Sequence, residues 1–277
     1  FHAQPVACAD CGPHVWLERS NVETLKRSNA SRITHHSSDE AITQAQQLLL
    51  DGKILAIKGL GGFHLACDAT NATAVSELRN RKLRRDKPFA LMMPDVATVE
   101  KHCYVNDAEK AELESIARPI VLLKRKTDST IAEDVAPGQN YIGVMLPYTP
   151  LHYLLFDESA EYDALVMTSG NLSEEPIAFT NEDARERLSS LADAFLMHDR
   201  DIHVRCDDSV VRVFSEQSSN NKNGKLHTYP LRRSRGYAPF PVKLPWKMPP
   251  MLATGAELKN TFCLTNDNYA FMSHHIG

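Results

Sequence analysis

The sequence predicts an α/β protein built on a twisted open mixed sheet flanked by helices, and three observations support this class. The 277 residues are 43% hydrophobic and 24% charged, which is typical of a globular domain large enough to bury a core. Short apolar runs bounded by turn residues predict buried strands. Amphipathic runs of helical spacing alternate with them. No apolar run approaches the roughly 18 residues of a membrane helix, so neither a membrane span nor a signal peptide is expected.

The predicted elements follow this alternation along the chain. A first helix is expected after Ser37, where an N-cap residue and first-turn acids open an amphipathic run that stops at Asp51 and Gly52. Further helices are predicted over residues 71–78, 95–101, 107–115, 149–156 and 181–191. Strands are predicted over residues 54–57, 88–93, 120–123, 141–146, 164–168, 194–197 and 209–214.

Composition divides the chain into three parts. Residues 1–37 are rich in Ser, Asn, Arg and His without a sustained period, which predicts a remnant of another module and a linker. Residues 38–240 carry the α/β pattern, interrupted by a polar stretch at 217–224 that predicts a mobile hairpin-type loop. Prolines between 239 and 250 predict an extended linker, so residues 241–277 are expected to contain it and the start of a second domain. We therefore expect a piece of a longer protein.

Net charge and cysteine usage restrict the function classes. The formal net charge of −4 argues against a surface that binds polyanions as a whole, so any basic site must be local. Of six cysteines only Cys8 and Cys11 are close in sequence, which argues against a disulfide framework and favours a reducing cytoplasm. Their spacing suits a zinc knuckle, but no second pair follows within the chain.

A basic run at residues 79–87 contains six cations and one anion. The favourable interaction of cations with a helix C-terminus is worth only about 0.3–1 kcal/mol each, which does not explain such density. Either the run is a solvated face, or it is a clamp for phosphate groups. A second cluster, Arg232, Arg233 and Arg235, could join such a clamp.

Three further stretches could carry chemistry. Residues 58–64 place glycines after a strand, which suits either a tight turn or close approach of backbone N–H groups to a ligand. Residues 168–176 place small polar side chains after another strand, which suits an Asx turn or a ligand site at a strand end. Residues 198–209 mix His and Asp with Arg, a mixture that more commonly neutralises itself than binds a metal.

Several of these motifs together, in order, resemble one family. The run Lys58-Gly-Leu-Gly-Gly-Phe-His-Leu-Ala-Cys-Asp68, the segment from Leu78 to Ala90 and the run Thr168-Ser-Gly-Asn-Leu-Ser173 resemble the YrdC-like domain of the HypF carbamoyltransferases, which mature [NiFe] hydrogenases. The resemblance implies a YrdC-like fold over residues 38–240. It also implies that residues 1–37 end a zinc-finger module and residues 241–277 begin a carbamoyl-transfer domain.

The resemblance also implies a reaction. It implies that ATP and carbamoyl phosphate form carbamoyl-adenylate with release of pyrophosphate, and that the carbamoyl group passes to the C-terminal cysteine of HypE to become a cyanide ligand. ATP and Mg²⁺ would be required, and Zn²⁺ would belong to the longer protein. Cys8 and Cys11 would be one pair of the zinc ligands, and this partial pair is expected to be empty here.

The family's Lys-x-Arg and Ser-x-Asn signature falls on matching positions of this chain. The implied catalytic residues are Lys58, Lys82 and Arg84. The implied nucleotide-binding residues are Lys82, Arg84, Ser169, Asn171, Ser173, Arg205, Arg233 and Arg235. The implied carbamoyl- or phosphate-binding residues are Lys58, Gly61, Gly62 and His64.

Two other functions remain open at this stage. The basic run also suits a double-stranded RNA-binding module, whose affinity would fall steeply with salt. A scaffold that presents the nucleotide without chemistry of its own would bind ATP but would not catalyse pyrophosphate exchange.

Overall fold

The computed structural model describes residues 12–20, 37–157, 160–172, 175–215, 226–256 and 260–274. Three predictions lie outside these residues: the zinc pair Cys8 and Cys11, the nucleotide contact Ser173, and the loop at 217–224. Within the described residues, no helix is long and apolar enough to cross a membrane.

The described chain alternates strands and helices as the sequence predicts. The helices are α1 (Ser38–Leu50), α2 (Ala72–Arg81), α3 (Val96–His102), α4 (Asp107–Glu114), α5 (Pro150–Leu155) and α6 (Asn181–Leu188). The strands are β1 (Val15–Arg19), β2 (Leu55–Lys58), β3 (Phe63–Asp68), β4 (Ala90–Met92), β5 (Cys103–Tyr104), β6 (Ile120–Arg125), β7 (Tyr141–Met145), β8 (Leu165–Ser169), β9 (Ala194–His198), β10 (Val210–Ser215), β11 (Leu226–Arg232), β12 (Val242–Thr254) and β13 (Phe262–Met272).

The helix starts are set by side-chain caps. Ser37 and Glu40 form a reciprocal capping box at α1, which satisfies two backbone donors at once. Asn71 caps α2 and Asp95 caps α3, each by accepting a bond from a backbone N–H of the first turn. These caps confirm the predicted starts of the three helices.

The main sheet is mixed, as predicted, with the strand order β1-β9-β2-β3-β8-β4-β7-β6-β10-β11, and β5 pairs with β6. The pairs β2–β9, β4–β7 and β6–β10 are parallel, and the other pairs are antiparallel. This confirms the fold class.

Helices cover the two faces of this sheet unequally. One face packs against α2, α3, α4 and α6 in a large apolar core. The other face packs against α1 and α5 over its β9, β2, β3 and β8 part. Beyond these two helices the same face continues across β4, β7, β6 and β10. A ligand can therefore reach the sheet surface there.

Several segments differ from the sequence prediction. Strands β3, β5, β11 and β13 were not predicted. Val15–Arg19, assigned to the remnant and linker, forms β1 and pairs with Ala194–His198. The proline-rich segment is not a linker, because it lies in β12 and pairs with β13 in a separate two-stranded sheet. The register of this pair shifts between Lys243 and Met248 and again before Met251. Prolines occupy these irregular stretches because a proline has no N–H to donate to a ladder.

Candidate functional site

A cavity of about 370 Å³ lies on the uncovered part of the sheet. Its floor is a row of side chains from neighbouring strands that the strand register places side by side. Ala90 and Leu122 both pair with Gly143, and Val210 pairs with Ile120. A volume in the range of about 300–1,000 Å³ is typical of small-molecule sites.

Gly143 keeps the floor low. A Cβ added at this position would lie 2.7 Å from Cγ2 of Ile120 and 3.5 Å from Cδ2 of Leu122. Any larger residue would therefore push the neighbouring side chains or fill the cavity. Together with Ala90, this glycine provides a shallow apolar surface suited to a flat ring.

The first wall of the cavity comes from the basic run, and Arg84 is its main cation. Its guanidinium donates to the carbonyl oxygens of Lys87 and Pro88 and to Oγ1 of Thr168 at 3.2 Å. Burial, with the neighbouring Arg79 and Arg232, lowers the pKa of Arg84 to about 10. Cations that lower one another's pKa in this way repel each other, and a bound anion would relieve this repulsion.

Two other cations of the basic run, Arg79 and Arg81, serve the fold instead. Arg79 is buried and donates to five backbone carbonyls, which fold the 84–87 segment onto residues 134 and 135. Arg81 pairs with Glu77 at 2.8 Å and with Asp193 at 2.9 Å. Because these groups are engaged internally, most of the run is not the exposed basic surface that RNA binding needs.

Lys82, expected to touch the nucleotide, lies beneath the cavity wall and is 1% exposed. Its ammonium donates to the carbonyl oxygens of Ser169 and Asn171, both at 2.6 Å, and to Oδ1 of Asn171 at 3.2 Å. The lysine therefore holds the turn that follows β8 in shape. The structure assigns it a positioning role for the Ser-x-Asn pair.

That turn lines the cavity. Oγ of Ser169 donates to Oδ1 of Asn171 at 2.7 Å, and Nδ2 of Asn171 donates to the carbonyl of Glu175. Gly170 sits so close to β3 that an added Cβ would lie 2.7 Å from the carbonyl oxygen of Phe63. The turn is thus rigidly placed at the carboxyl end of a strand, where open α/β sheets bind polar ligands.

Arg232, at the end of β11, belongs to the second basic cluster of the sequence analysis but was not among the implied nucleotide-binding residues. It lines the cavity and lies near enough to Arg84 to lower its pKa. Among the described residues, its side chain has no hydrogen-bond or ion-pair partner. Arg84 and Arg232 therefore bring two guanidinium groups to one cavity without a shared anion.

The opposite wall contains a buried ion network. Asp208 accepts a bond from Nε of Arg235 at 2.8 Å and pairs with Nε2 of His64 at 3.0 Å. Although burial alone would raise it, Arg235 and His64 together hold the pKa of Asp208 well below its usual range. Burial and the nearby Asp208 carboxylate raise the pKa of Tyr148 well above its usual value. Both Asp208 and His64 line the cavity.

Arg233 and Arg235, predicted to contact the nucleotide, do not line the cavity. Arg233 donates to the backbone of Tyr237 and Phe240. Arg235 is held by the carbonyls of residues 117 and 118 as well as by Asp208. The two arginines therefore brace the chain behind the wall.

Lys58, Gly61, Gly62 and Arg205 also lie away from the cavity lining. Lys58 is buried and donates to the carbonyl of His198, and this burial lowers its pKa. The glycines approach residues of the cavity wall, Gly61 at the carbonyl of Cys206 and Gly62 at the side chain of Ile177. Arg205 stacks on Phe179.

The structure thus brings together Arg84, Ser169, Asn171 and His64 from the predicted set, and adds Arg232, Asp208 and the small residues of the floor. A signal for Arg232 existed in the second basic cluster, but the sequence could not say which of its arginines faces the ligand. Nothing in the mixed His and Asp stretch at residues 198–209 singled out Asp208 as the carboxylate that lines the cavity.

No group of three or more His, Cys, Asp or Glu side chains in the described ranges is arranged to hold a metal ion. A divalent cation at this cavity would therefore depend on ligands from phosphate groups. Zinc binding by Cys8 and Cys11 falls outside the ranges that the structure describes.

Comparison with protein families matches three parts of the chain. The Sua5, YciO and YrdC family, described as "Telomere recombination", matches residues 47–224. A HypF Kae1-like domain matches residues 247–277, and a HypF finger matches residues 1–18.

Comparison with curated proteins finds HypF carbamoyltransferases. The chain is 47% identical to the carbamoyltransferase HypF of Rhodobacter capsulatus over 100% of this chain and 34% of that protein. It is 47% identical to HypF2 of Cupriavidus necator over 86% of this chain and 30% of that protein. The chain thus spans about a third of the length of the relatives it matches.

Solved structures agree with these matches. A full-length HypF in the phosphate- and nucleotide-bound form superposes with a TM-score of 0.82 at 45% identity, over 100% of this chain and 33% of that one. HypF of T. kodakarensis gives a TM-score of 0.84 at 40% identity, over 100% of this chain and 34% of that one. YciO of E. coli, at 16% identity and a TM-score of 0.57 over 72% of this chain and 91% of that one, shares the fold.

Proposed function

The chain belongs to the Sua5, YciO and YrdC family and matches its HypF carbamoyltransferase members along its whole length, and from this premise we infer that its cavity binds ATP. The observation that carries the inference is that Arg84 and Arg232 line one cavity and share no anion among the described residues, beside the rigid Ser169–Asn171 turn. A full-length HypF relative has been solved in a phosphate- and nucleotide-bound form, which supports nucleotide binding in this family.

The shape of the cavity suits the parts of a nucleotide. The low apolar floor at Ala90 and Gly143 would take the flat base. Arg84 and Arg232 would take the phosphates through charge-assisted bonds, which are about twice as strong as neutral ones. Ser169 and Asn171 would orient the phosphate oxygens.

We propose that this site makes carbamoyl-adenylate as one step of carbamoyl transfer in hydrogenase maturation. Water would first cleave carbamoyl phosphate to carbamate and inorganic phosphate. A carbamate oxygen would then form a bond to the α-phosphorus of ATP, the bond from that phosphorus to the oxygen that bridges to the β-phosphate would break, and pyrophosphate would leave. Negative charge spreads over the phosphate oxygens in such a transfer, and fixed cations stabilise it. Arg84 and Arg232 supply those cations.

Other participants follow from the same proposal. Mg²⁺ would enter with the triphosphate, because the described residues offer no preformed metal cluster. The carbamoyl group would pass to the C-terminal cysteine of HypE. Both belong to the activity of full-length HypF carbamoyltransferases, and this chain spans about a third of the length of the relatives it matches.

Isothermal titration with ATP tests the nucleotide site. We expect saturable binding by the chain and an affinity at least tenfold lower for Arg84→Ala, because a hydrogen bond to a charged group contributes about 1.5–3 kcal/mol. Arg85→Ala is the matched control, since Arg85 is an exposed neighbour that does not line the cavity. Equal affinities for the two variants would contradict the assignment.

Pyrophosphate exchange separates the enzyme from a presenting scaffold. In the full-length protein we expect label from pyrophosphate to enter ATP only when carbamoyl phosphate is present. Binding of ATP without any exchange in that protein would favour the scaffold.

A further inference from the structure

Asp208 is an unusual residue for a nucleotide cavity. It places an ionised carboxylate, itself one-tenth exposed, in the lining of a site whose other wall is cationic. A carboxylate repels phosphate, and a buried charge is costly unless it is paired. Arg235 and His64 already pair with it, so its place in the lining is stable and suits a ligand group that donates a hydrogen bond rather than a phosphate.

The hydrogen bonds of Asp208 leave room for such a group. An ionised carboxylate has about four lone-pair positions. Two donors occupy positions on it: Nε of Arg235 and Nε2 of His64. At least one acceptor position therefore remains, and it belongs to a residue that lines the cavity.

The two donors also fix where this carboxylate points. Arg235 is anchored to the backbone carbonyls of Ala117 and Arg118, and it stacks on Tyr148 with 3.5 Å between the guanidinium carbon and the ring centroid. His64 is held within β3. The remaining acceptor position is therefore preorganised before a ligand arrives.

The strand register places this group next to the proposed phosphate turn. His64 is the direct cross-strand partner of Ser169 in the antiparallel β3–β8 pair. Opposite residues in such a pair lie about 4.5–5.5 Å apart. A small group attached to a phosphate at Ser169 and Asn171 would therefore reach the His64–Asp208 pair.

We propose that Asp208 determines substrate specificity by accepting an N–H of the carbamoyl group, so that the cavity selects carbamoyl phosphate over acetyl phosphate. This proposal rests on the proposed function and adds to it the recognition of the transferred group. His64, Tyr148 and Arg235 are positioning residues that act through Asp208.

Acetyl phosphate is the informative competitor because it replaces the carbamoyl NH₂ with a methyl group of similar size. A site built to bond an N–H rejects an analogue that lacks it, because the acceptor is then left buried and unpaired. A merely apolar pocket would not make this distinction.

The test uses the full-length protein and compares pyrophosphate exchange supported by carbamoyl phosphate and by acetyl phosphate. We expect the wild type to prefer carbamoyl phosphate by more than tenfold. Asp208→Asn should reduce this preference at least tenfold, because its amide can present N–H rather than an acceptor. A wild type that uses the two substrates within twofold of each other would overturn the proposal without any variant.

Asp207→Asn is the matched control for charge, because it removes a carboxylate from the neighbouring position of the same cavity lining. It should change the rates with both substrates alike and leave their ratio within twofold of the wild type. An equal loss of preference in both variants would mean that general electrostatics sets the ratio, and it would overturn the assignment to Asp208.

Titration with ATP separates failure of this proposal from failure of the nucleotide site. If ATP binds to wild type and Asp208→Asn with similar affinity and the ratio is unchanged in the variant, only the specificity proposal fails. If wild type does not bind ATP, the proposed function fails and the specificity proposal fails with it. His64→Leu, which leaves Asp208 in place, should reduce the preference less than Asp208→Asn does.

Discussion

The two walls of the cavity are built from opposite charges by similar means. The basic wall presents Arg84, supported from behind by Arg79, and the acidic wall presents Asp208, supported from behind by Arg235. In each wall a buried arginine anchors the segment by donating to backbone carbonyls.

The comparison teaches that cation density alone does not locate a ligand. The basic run and the second arginine cluster look equivalent in sequence, yet in each one most cations bind the protein itself. Arg84 and Arg232 are the cluster arginines that reach the cavity, one from each cluster. The two walls are therefore expected to bind different parts of a ligand, the basic wall its phosphates and the acidic wall an N–H donor.

Replacement of Arg79, which anchors the basic wall, should have the largest effect on the free energy of unfolding. Arg79→Met keeps the apolar stem but leaves several carbonyl oxygens without a donor, so we expect a loss of about 3 kcal/mol in the free energy of unfolding. Urea denaturation measures it. Arg85→Ala, in the same run but exposed, should change that free energy by less than about 0.5 kcal/mol.

The acidic wall should be sensitive to pH through its buried neighbour His152, which packs edge-on against Tyr148. Burial, with His64 nearby, lowers the pKa of His152 to about 3. The unfolded chain, with a histidine pKa near 6.5, binds a proton between these values that the folded chain does not. Stability should therefore fall as pH drops below about 6.5, by up to about 1.4 kcal/mol per pH unit.

Urea denaturation at a series of pH values between 7 and 5 measures this slope. His152→Leu should flatten it, whereas His203→Leu, at an exposed position, should not. An unchanged slope in His152→Leu would show that another group governs the acid sensitivity.

Replacement of Arg232 should affect ATP binding but not folding stability. Arg232→Ala should weaken ATP binding by about tenfold, since one charge-assisted contact is lost. Its free energy of unfolding should be unchanged, because no described residue pairs with this side chain. Calorimetric titration and urea denaturation of one preparation check both parts. A loss of stability without a loss of affinity would move Arg232 into the structural group.

Arg81→Ala should have the smallest effect. Its partners Glu77 and Asp193 are partly exposed, and such ion pairs contribute about 0–1 kcal/mol. Its ATP affinity should equal that of the wild type, since Arg81 does not line the cavity. Weakened ATP binding would mean that the basic run acts as a whole, contrary to the division between its members.

Much of the fold was predictable because its signals are local. Apolar runs marked the central strands, and Ser37, Asn71 and Asp95 marked helix starts through caps that involve only the next few residues. Strand β1 was not predictable in this way, since it is short and its partner β9 lies far along the chain. Strand β12 was not predicted because its prolines are typical of a linker. The β12–β13 pair accommodates them at shifts in its register.

The site was predictable only in part, for a related reason. The turn residues Ser169 and Asn171 and the cation Arg84 lie in recognisable motifs. The choice between Arg232, Arg233 and Arg235 depends on how β11 ends against the cavity, which no short motif encodes. Lys82 matched the motif, but its direction depends on a turn that lies 87 residues away along the chain.

The most direct test of a cavity with two walls of opposite polarity is a crystal structure of this chain with a non-hydrolysable ATP analogue. We predict phosphate density between Arg84 and Arg232 beside Ser169, with the base on the floor at Ala90 and Gly143 and no phosphate at Asp208. Phosphates bound against Lys58 or Arg205, with Arg84 and Arg232 unengaged, would contradict the account.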